Sequence, residues 1–62
     1  MKTSEAVTKL KKQGCYFVKH KKRHDWWYSP TTGNHFPVPR HGTKDLPKGT
    51  KESIELLSGV NF

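Results

Sequence analysis

Three short segments of strand-forming residues, separated by two turns, decide the fold. Together they read GCYFVKHKKRHDWWYSPTTGNHFPV, residues 14–38. Aromatic and β-branched residues favour strands over 15–18, 24–28 and 34–38. The polar residues 19–23 predict an exposed turn, and residues 29–33 have the composition of a hairpin loop. The stretch therefore predicts an antiparallel sheet, in which Pro37 marks an edge strand because proline donates no ladder hydrogen bond.

A helix is expected before this stretch. Thr3 or Ser4 is a candidate N-cap, and Glu5 suits the positive first turn of the helix. Good helix formers continue to Gln13, and Gly14 is placed to stop the helix.

The second helix follows the sheet. It is expected to begin near Pro47, because proline is favoured in the first helical turn. Asp45 or Leu46 would then occupy its cap, and Gly59 would end it. The resulting order, α-β-β-β-α, predicts an α+β fold with two layers. Both helices cover one face of a three-stranded antiparallel sheet.

Apolar residues at helix or strand spacing identify the expected core. They are Val7, Leu10, Phe17, Phe36, Val38, Ile54 and Leu57. Period-two alternation places His24, Trp26 and Tyr28 on one side of the second strand. Asp25 and Trp27 then lie on the other side. Alternation alone does not decide which side meets the helices, but we expect at least one tryptophan to pack in the interior.

Size and charge limit the function classes. The chain has 62 residues, of which 31% are apolar, so its core must be thin. A net charge of +7 favours an anionic partner, which is nucleic acid, an acidic protein or an anionic membrane surface. No run is long and apolar enough for a membrane span, and no secretion signal is evident. The single cysteine, Cys15, is expected to be buried and suits a reducing cytoplasm.

Basic, aromatic and imidazole side chains are concentrated between Lys19 and Tyr28. Lysine and arginine neutralise phosphates, exposed rings stack on bases, and imidazole transfers protons near neutral pH. A solvated surface turn is the alternative interpretation of the same residues.

His20 and His24 also have a spacing found in zinc sites. Structural zinc sites commonly include a close cysteine pair, which this chain lacks, so we expect no metal.

Short motifs are spread over most of the chain. They are the helix stop at Gly14, His24 at the start of the second strand, the turn around Pro30 and Gly33, the segments VPRHG (38–42) and LPKGT (46–50), and Ile54. Together they resemble the HicA toxins, the mRNA interferases of HicA–HicB toxin–antitoxin modules. The resemblance extends from about Ser4 to Val60, so residues 1–62 are interpreted as a single HicA-like toxin domain.

The resemblance implies a fold similar to a double-stranded-RNA-binding domain and a toxin of a type II toxin–antitoxin module. It implies a cytoplasmic endoribonuclease that cleaves mRNA with a single catalytic histidine, His24, and uses no metal or other cofactor. A HicB-type antitoxin would inhibit it. The toxin would be a monomer when free and part of a hetero-oligomer with the antitoxin.

The expected RNA contacts are basic residues near His24. They are Lys21, Lys22, Arg23, Arg40 and His41. Lys22 and Arg23 stand where the family usually has glycine and a small residue. Two consequences remain open: the turn is shaped differently, because these side chains resist positive φ, or the extra charges bind phosphate directly.

Metal-free RNA cleavage needs a base for the 2′-hydroxyl, stabilisation of charge at phosphorus and an acid for the leaving 5′-oxygen. A neutral His24 would be the base, and the acid is left open among His20, His35 and a water molecule. Asp25 is not expected to orient His24, because the two lie on opposite sides of the strand. A non-catalytic RNA-binding module on the same fold is the alternative function, and a basic adaptor for an acidic protein is a third.

Overall fold

The computed structural model describes residues 1–40 and 42–62 of the chain. Its elements are α1 (Thr3–Lys12), β1 (Tyr16–His20), β2 (His24–Ser29), β3 (Asn34–Pro39) and α2 (Lys48–Ser58). The strands form one antiparallel sheet in the order β1-β2-β3. The predicted α-β-β-β-α order and α+β class are therefore confirmed. Pro37 does lie in an edge strand, β3, as its missing donor requires.

One face of the sheet packs against both helices and forms the core. The buried apolar side chains are Ala6, Leu10, Cys15, Trp27, Phe36, Val38, Leu46, Ile54 and Val60. Leu10, Phe36, Val38 and Ile54 were expected there, and their burial confirms the assignment of the helix-facing side of β3. Burial of Trp27 confirms that one tryptophan packs inside.

The placement of Phe17 in the core is wrong. Its side chain is 43% exposed, and every residue of β1 is exposed. β1 is the second edge strand, and the buried cluster lies under β2 and β3 instead. Val7 and Leu57 are only partly buried and pack at the margin of this cluster.

The first strand is also longer than expected. It pairs with β2 as far as His20, which lies opposite Asp25, and the register shifts at a bulge around Val18. Lys19 and His20 are polar and were therefore expected in the turn. Cross-strand pairing holds them in the sheet, where both stay exposed to solvent.

The start of α1 differs from the expected N-cap. Lys2 is the N-cap, while Thr3 is buried in the first turn. The amide and the hydroxyl of Thr3 both donate to the carbonyl of Lys44, at 3.0 and 3.1 Å. The Ser4 amide donates to the Gly42 carbonyl at 3.1 Å. Because distant carbonyls satisfy these amides, no side-chain cap is needed.

The second helix begins one residue later than expected. Pro47 itself is the N-cap, Leu46 is buried, and Asp45 forms an isolated bridge with Lys2. Gly59 ends α2 with a φ of 75°, which confirms its expected role as the stop. Neither helix of the described residues is long and apolar enough to cross a membrane.

The β2–β3 hairpin anchors the end of α2. The Ser29 hydroxyl donates to the Ser58 carbonyl at 2.6 Å, and both residues are fully buried. The Thr32 hydroxyl and the Asn34 amide group both donate to the Leu57 carbonyl, at 2.5 and 3.3 Å. These bonds satisfy carbonyls that a helix end leaves unpaired, and they fix α2 against the sheet.

We expect Ser29→Ala to lower the free energy of unfolding by about 1–3 kcal/mol, because it leaves a buried carbonyl without its donor. Urea denaturation followed by circular dichroism measures the change. Ser53→Ala, at an exposed position of α2, is the matched control and should change the free energy of unfolding by less than about 0.5 kcal/mol. Equal effects of the two substitutions would contradict an anchoring role for Ser29.

Candidate functional site

A basic turn joins β1 to β2 and ends at His24. Lys21, Lys22 and Arg23 are all exposed, and the Lys21 amide donates to the His24 carbonyl at 2.8 Å. Among the described residues, only glycines have positive φ. The turn therefore closes without a residue at positive φ, the conformation that glycine would allow. Lys22 and Arg23 occupy the two positions before His24. Direct phosphate binding by these side chains stays a prediction.

Arg40, at the end of β3, holds this turn from the side. One guanidinium nitrogen, Nη2, donates to the carbonyls of Lys21 and Lys22 at 2.5 and 3.0 Å. The structure thus brings Arg40 next to the basic turn, as expected of an RNA contact. The contacts it makes are with the backbone, so the structure gives Arg40 a positioning role, and its contact with RNA stays a prediction.

A second cluster lies beside the turn and was missed in the sequence. The Nδ1 of His20 donates to an oxygen of Asp25 at 2.6 Å, and the Nε of Arg40 lies 3.6 Å from the same oxygen. The side chain of Asp25 is 22% exposed and that of His20 68%. The ring of Phe17 packs on His20 with centroids 4.8 Å apart. Because the first strand was expected to end at Val18, the pairing of His20 with Asp25 was not foreseen.

His24 is exposed as the first residue of β2, where it pairs with Pro39 of the edge strand. It lines a small cleft of about 160 Å³ between β3 and α2. Thr50 and Ser53 of α2 add hydroxyl groups to the same cleft. Thr50 ends the LPKGT segment, but nothing in the sequence placed it or Ser53 beside His24, because their approach to His24 depends on how α2 packs.

Thr50 lies in the first turn of α2, which is the positive end of the helix dipole. The first hydrogen bond within the helix is donated by Lys51 to Pro47 at 2.9 Å. The amides of residues 48–50 therefore precede the helical ladder, and such amides favour anions. His24 thus lies between a positively charged turn and the positive end of the α2 dipole.

His41 was expected to contact RNA, but it lies outside the described residues. Within residues 1–40 and 42–62, no three His, Cys, Asp or Glu side chains are grouped so that they could hold a metal ion.

The fold and this site define a small basic α+β domain with an exposed histidine at one end of its sheet. The sequence pattern of the family described as "HicA toxin of bacterial toxin-antitoxin" matches residues 3–60. The chain therefore belongs to the HicA toxin family, and the resemblance inferred from its motifs is confirmed. Its role is that of a toxin in a toxin–antitoxin system. No curated protein and no solved structure matches the chain.

We expect Arg40→Ala to loosen the basic turn, because two carbonyls lose a charged donor. Hydrogen exchange of the Lys21 amide should become roughly tenfold faster. Arg23→Ala removes an equal charge from an exposed position of the turn, and it should leave this exchange unchanged. If both variants exchange at the wild-type rate, Arg40 does not hold the turn.

Proposed function

We propose that this HicA toxin is an endoribonuclease that cleaves mRNA in the cytoplasm with His24 as its general base. The observation that carries the proposal is the position of His24. It is exposed and lies between the basic turn and the first turn of α2. RNA is the anion that suits this site, because its backbone supplies both the negative charge and an internal nucleophile.

The reaction transfers the phosphoryl group from the 5′-oxygen of one ribose to the 2′-oxygen of the neighbouring ribose. His24 takes the proton of the 2′-hydroxyl, and the 2′-oxygen attacks phosphorus as the bond to the 5′-oxygen breaks. Lys21, Lys22 and Arg23, with the amides that begin α2, stabilise the charge that develops on the phosphoryl oxygens. The products are a 2′,3′-cyclic phosphate and a 5′-hydroxyl once the leaving oxygen receives a proton.

His20 is the group we assign to supply that proton. Its Nδ1 donates to Asp25, so the ring orientation is fixed and the opposite nitrogen, Nε2, is the one left to act. In this role His20 gives up the Nε2 proton of its imidazolium form and is left neutral, with Nδ1–H still on Asp25. His20 and His24 flank the basic turn, on the two sides of the sheet set by strand alternation. An in-line displacement has its attacking and leaving oxygens on opposite sides of phosphorus. A phosphate bound over the turn would therefore meet one imidazole on each side.

A HicB-type antitoxin is the proposed inhibitor. The toxin–antitoxin role implies a partner, and a net charge of +7 favours an acidic one. Such a partner would cover the basic turn and exclude RNA. We propose that the free toxin is monomeric and that the inhibited state is a hetero-oligomer. Addition of the protein encoded next to this toxin should stop cleavage in the assay described below.

We expect His24→Ala to slow RNA cleavage by about 100-fold or more, because general bases typically contribute factors of that size. Purified protein is incubated with single-stranded RNA in EDTA, and products are resolved by electrophoresis. Cleavage should persist in EDTA and leave cyclic phosphate ends. Leu56→Ala, at a position 80% exposed on α2, is the control and should cleave normally.

Three outcomes would count against this mechanism. Undiminished cleavage by folded His24→Ala would remove His24 from the reaction. Loss of cleavage in EDTA alone would remove the metal-free route. Tight RNA binding with no cleavage by the wild-type protein would favour the non-catalytic RNA-binding module.

The role of His20 is tested with a substrate whose leaving oxygen is replaced by sulfur. A thiolate leaves without being protonated, so the acid becomes unnecessary. We expect His20→Ala to slow cleavage of ordinary RNA by about 100-fold and to cleave the sulfur substrate nearly as fast as wild type. His24→Ala should stay slow on both. If His20→Ala is equally slow on both substrates, His20 is not the proton donor.

A further inference from the structure

The sheet face turned away from the helices carries a set of neighbouring rings, of which Tyr16 and His35 are exposed and Trp26 and Tyr28 are partly exposed. This open face consists of Tyr16 and Lys19 from β1, His24, Trp26 and Tyr28 from β2, and His35, Pro37 and Pro39 from β3. His24, Pro37 and Pro39 also line the cleft toward α2, which lies along the edge strand β3, so His24 belongs to both surfaces. Their alternate neighbours Trp27, Ser29, Phe36 and Val38 are buried on the helix side. None of the residues assigned to the open face is buried, and Tyr16 is 53% exposed.

The rings contact one another across all three strands. Tyr16 and Tyr28 have centroids 5.6 Å apart, and Tyr28 lies 4.8 Å from His35. His35 is also stacked on Trp26, with centroids 5.9 Å apart and ring planes within 8°. Since the three strands fix their backbones, the rings form a preorganised row on this face.

Positive charge accompanies this row. The Nζ of Lys21 lies over the Trp26 ring, 4.5 Å from its centroid, and Lys19 pairs with Trp26 in the sheet. All five acidic residues of the chain are among the described residues, and none lies on the open face. Glu5, Glu52 and Glu55 are in the helices, Asp45 precedes α2, and Asp25 faces the helix side.

We propose that the open face binds single-stranded RNA by stacking its bases on Trp26, Tyr28, His35 and Tyr16, with Lys19 and Lys21 neutralising the backbone. Rings interleaved with lysines are the combination that holds single strands, because every base has a π face and every linkage a negative charge. A sheet carrying such rings is a known way of binding unpaired RNA.

The proposal rests on the proposed function for the identity of the nucleic acid, and it deepens that function by naming the strandedness of the substrate. His24, Trp26 and Tyr28 alternate along β2, so neighbouring members of this set are about 6.7 Å apart. A strand whose bases stack on Tyr28 and Trp26 would therefore continue directly to His24. A duplex cannot use the rings, because its bases are already stacked.

Binding is measured with a fluorescent single-stranded 2′-O-methyl RNA octamer, which the 2′-hydroxyl mechanism cannot cleave. We expect it to bind at least about tenfold more tightly than an abasic octamer of equal charge, and more tightly than a duplex of equal length. Trp26→Ala should lower the affinity for the octamer about tenfold, and Tyr16→Ala should lower it by a smaller factor. Trp26→Phe keeps a ring and should bind nearly as wild type, which separates loss of stacking from loss of folding. Leu56→Ala is the control and should bind normally.

Equal affinity for the octamer and its abasic counterpart would overturn the proposal, since binding would then be electrostatic alone. It would also be overturned if the ring variants weakened antitoxin binding and left the octamer unaffected, because the face would then be a protein interface. Base-dependent binding without cleavage of ordinary RNA would instead refute the proposed nuclease and leave the RNA surface standing. Cleavage of ordinary RNA together with base-independent binding would support the nuclease and refute the stacking surface.

Discussion

Side-chain alternation along β2 is the constraint on which both faces of this small domain depend. Trp27 and Ser29 are buried under the helices, so Trp26 and Tyr28 must face the opposite way. A register slip of one residue would exchange the two sets completely. The indole nitrogen of Trp27 is buried, with no hydrogen-bond partner among the described residues. Its burial is therefore driven by apolar area, while the Ser29–Ser58 bond adds a directional contact that favours this register.

The β1–β2 turn shows how the chain manages without the glycine that the family usually has there. The backbone of Lys22 and Arg23 stays at negative φ, and Arg40 donates to two carbonyls of the turn. One cation is thus used to support the backbone, and part of its charge faces Asp25. Lys21, Lys22 and Arg23 are all exposed, and of these three Lys21 places its Nζ over the Trp26 ring. This turn is thus braced from β3 and displays three cationic side chains.

Local patterns in the sequence were sufficient for the elements and for much of the core. The order of helices and strands, the edge position of Pro37 and the burial of Leu10 and Phe36 follow from residue type and spacing. The errors concern features that distant partners decide. Phe17 is exposed because the core forms under the other two strands. Thr3 is not a cap because the Lys44 carbonyl, far along the chain, accepts its hydrogen bonds.

For the candidate site too, some features could be predicted from the sequence and others required the folded structure. Resemblance pointed to His24, and charge pointed to the turn before it. The pairing of Asp25 with His20 needed the exact cross-strand register, and the approach of Thr50 to His24 needed the packing of α2. Neither relation leaves a mark in the local sequence, because each joins residues that only the folded sheet and helix bring together.

The open face also bears on how such a toxin can be switched off. Exposed rings are costly in water, but Tyr16, Tyr28, His35 and Trp26 cover part of one another's surface. The face can therefore remain solvated without a permanent partner. If RNA occupies it as proposed, the substrate extends well beyond His24. An inhibitor would then block cleavage by covering the rings and lysines alone, because a strand that cannot lie along β2 cannot bring its phosphate to the histidine at the end of that strand.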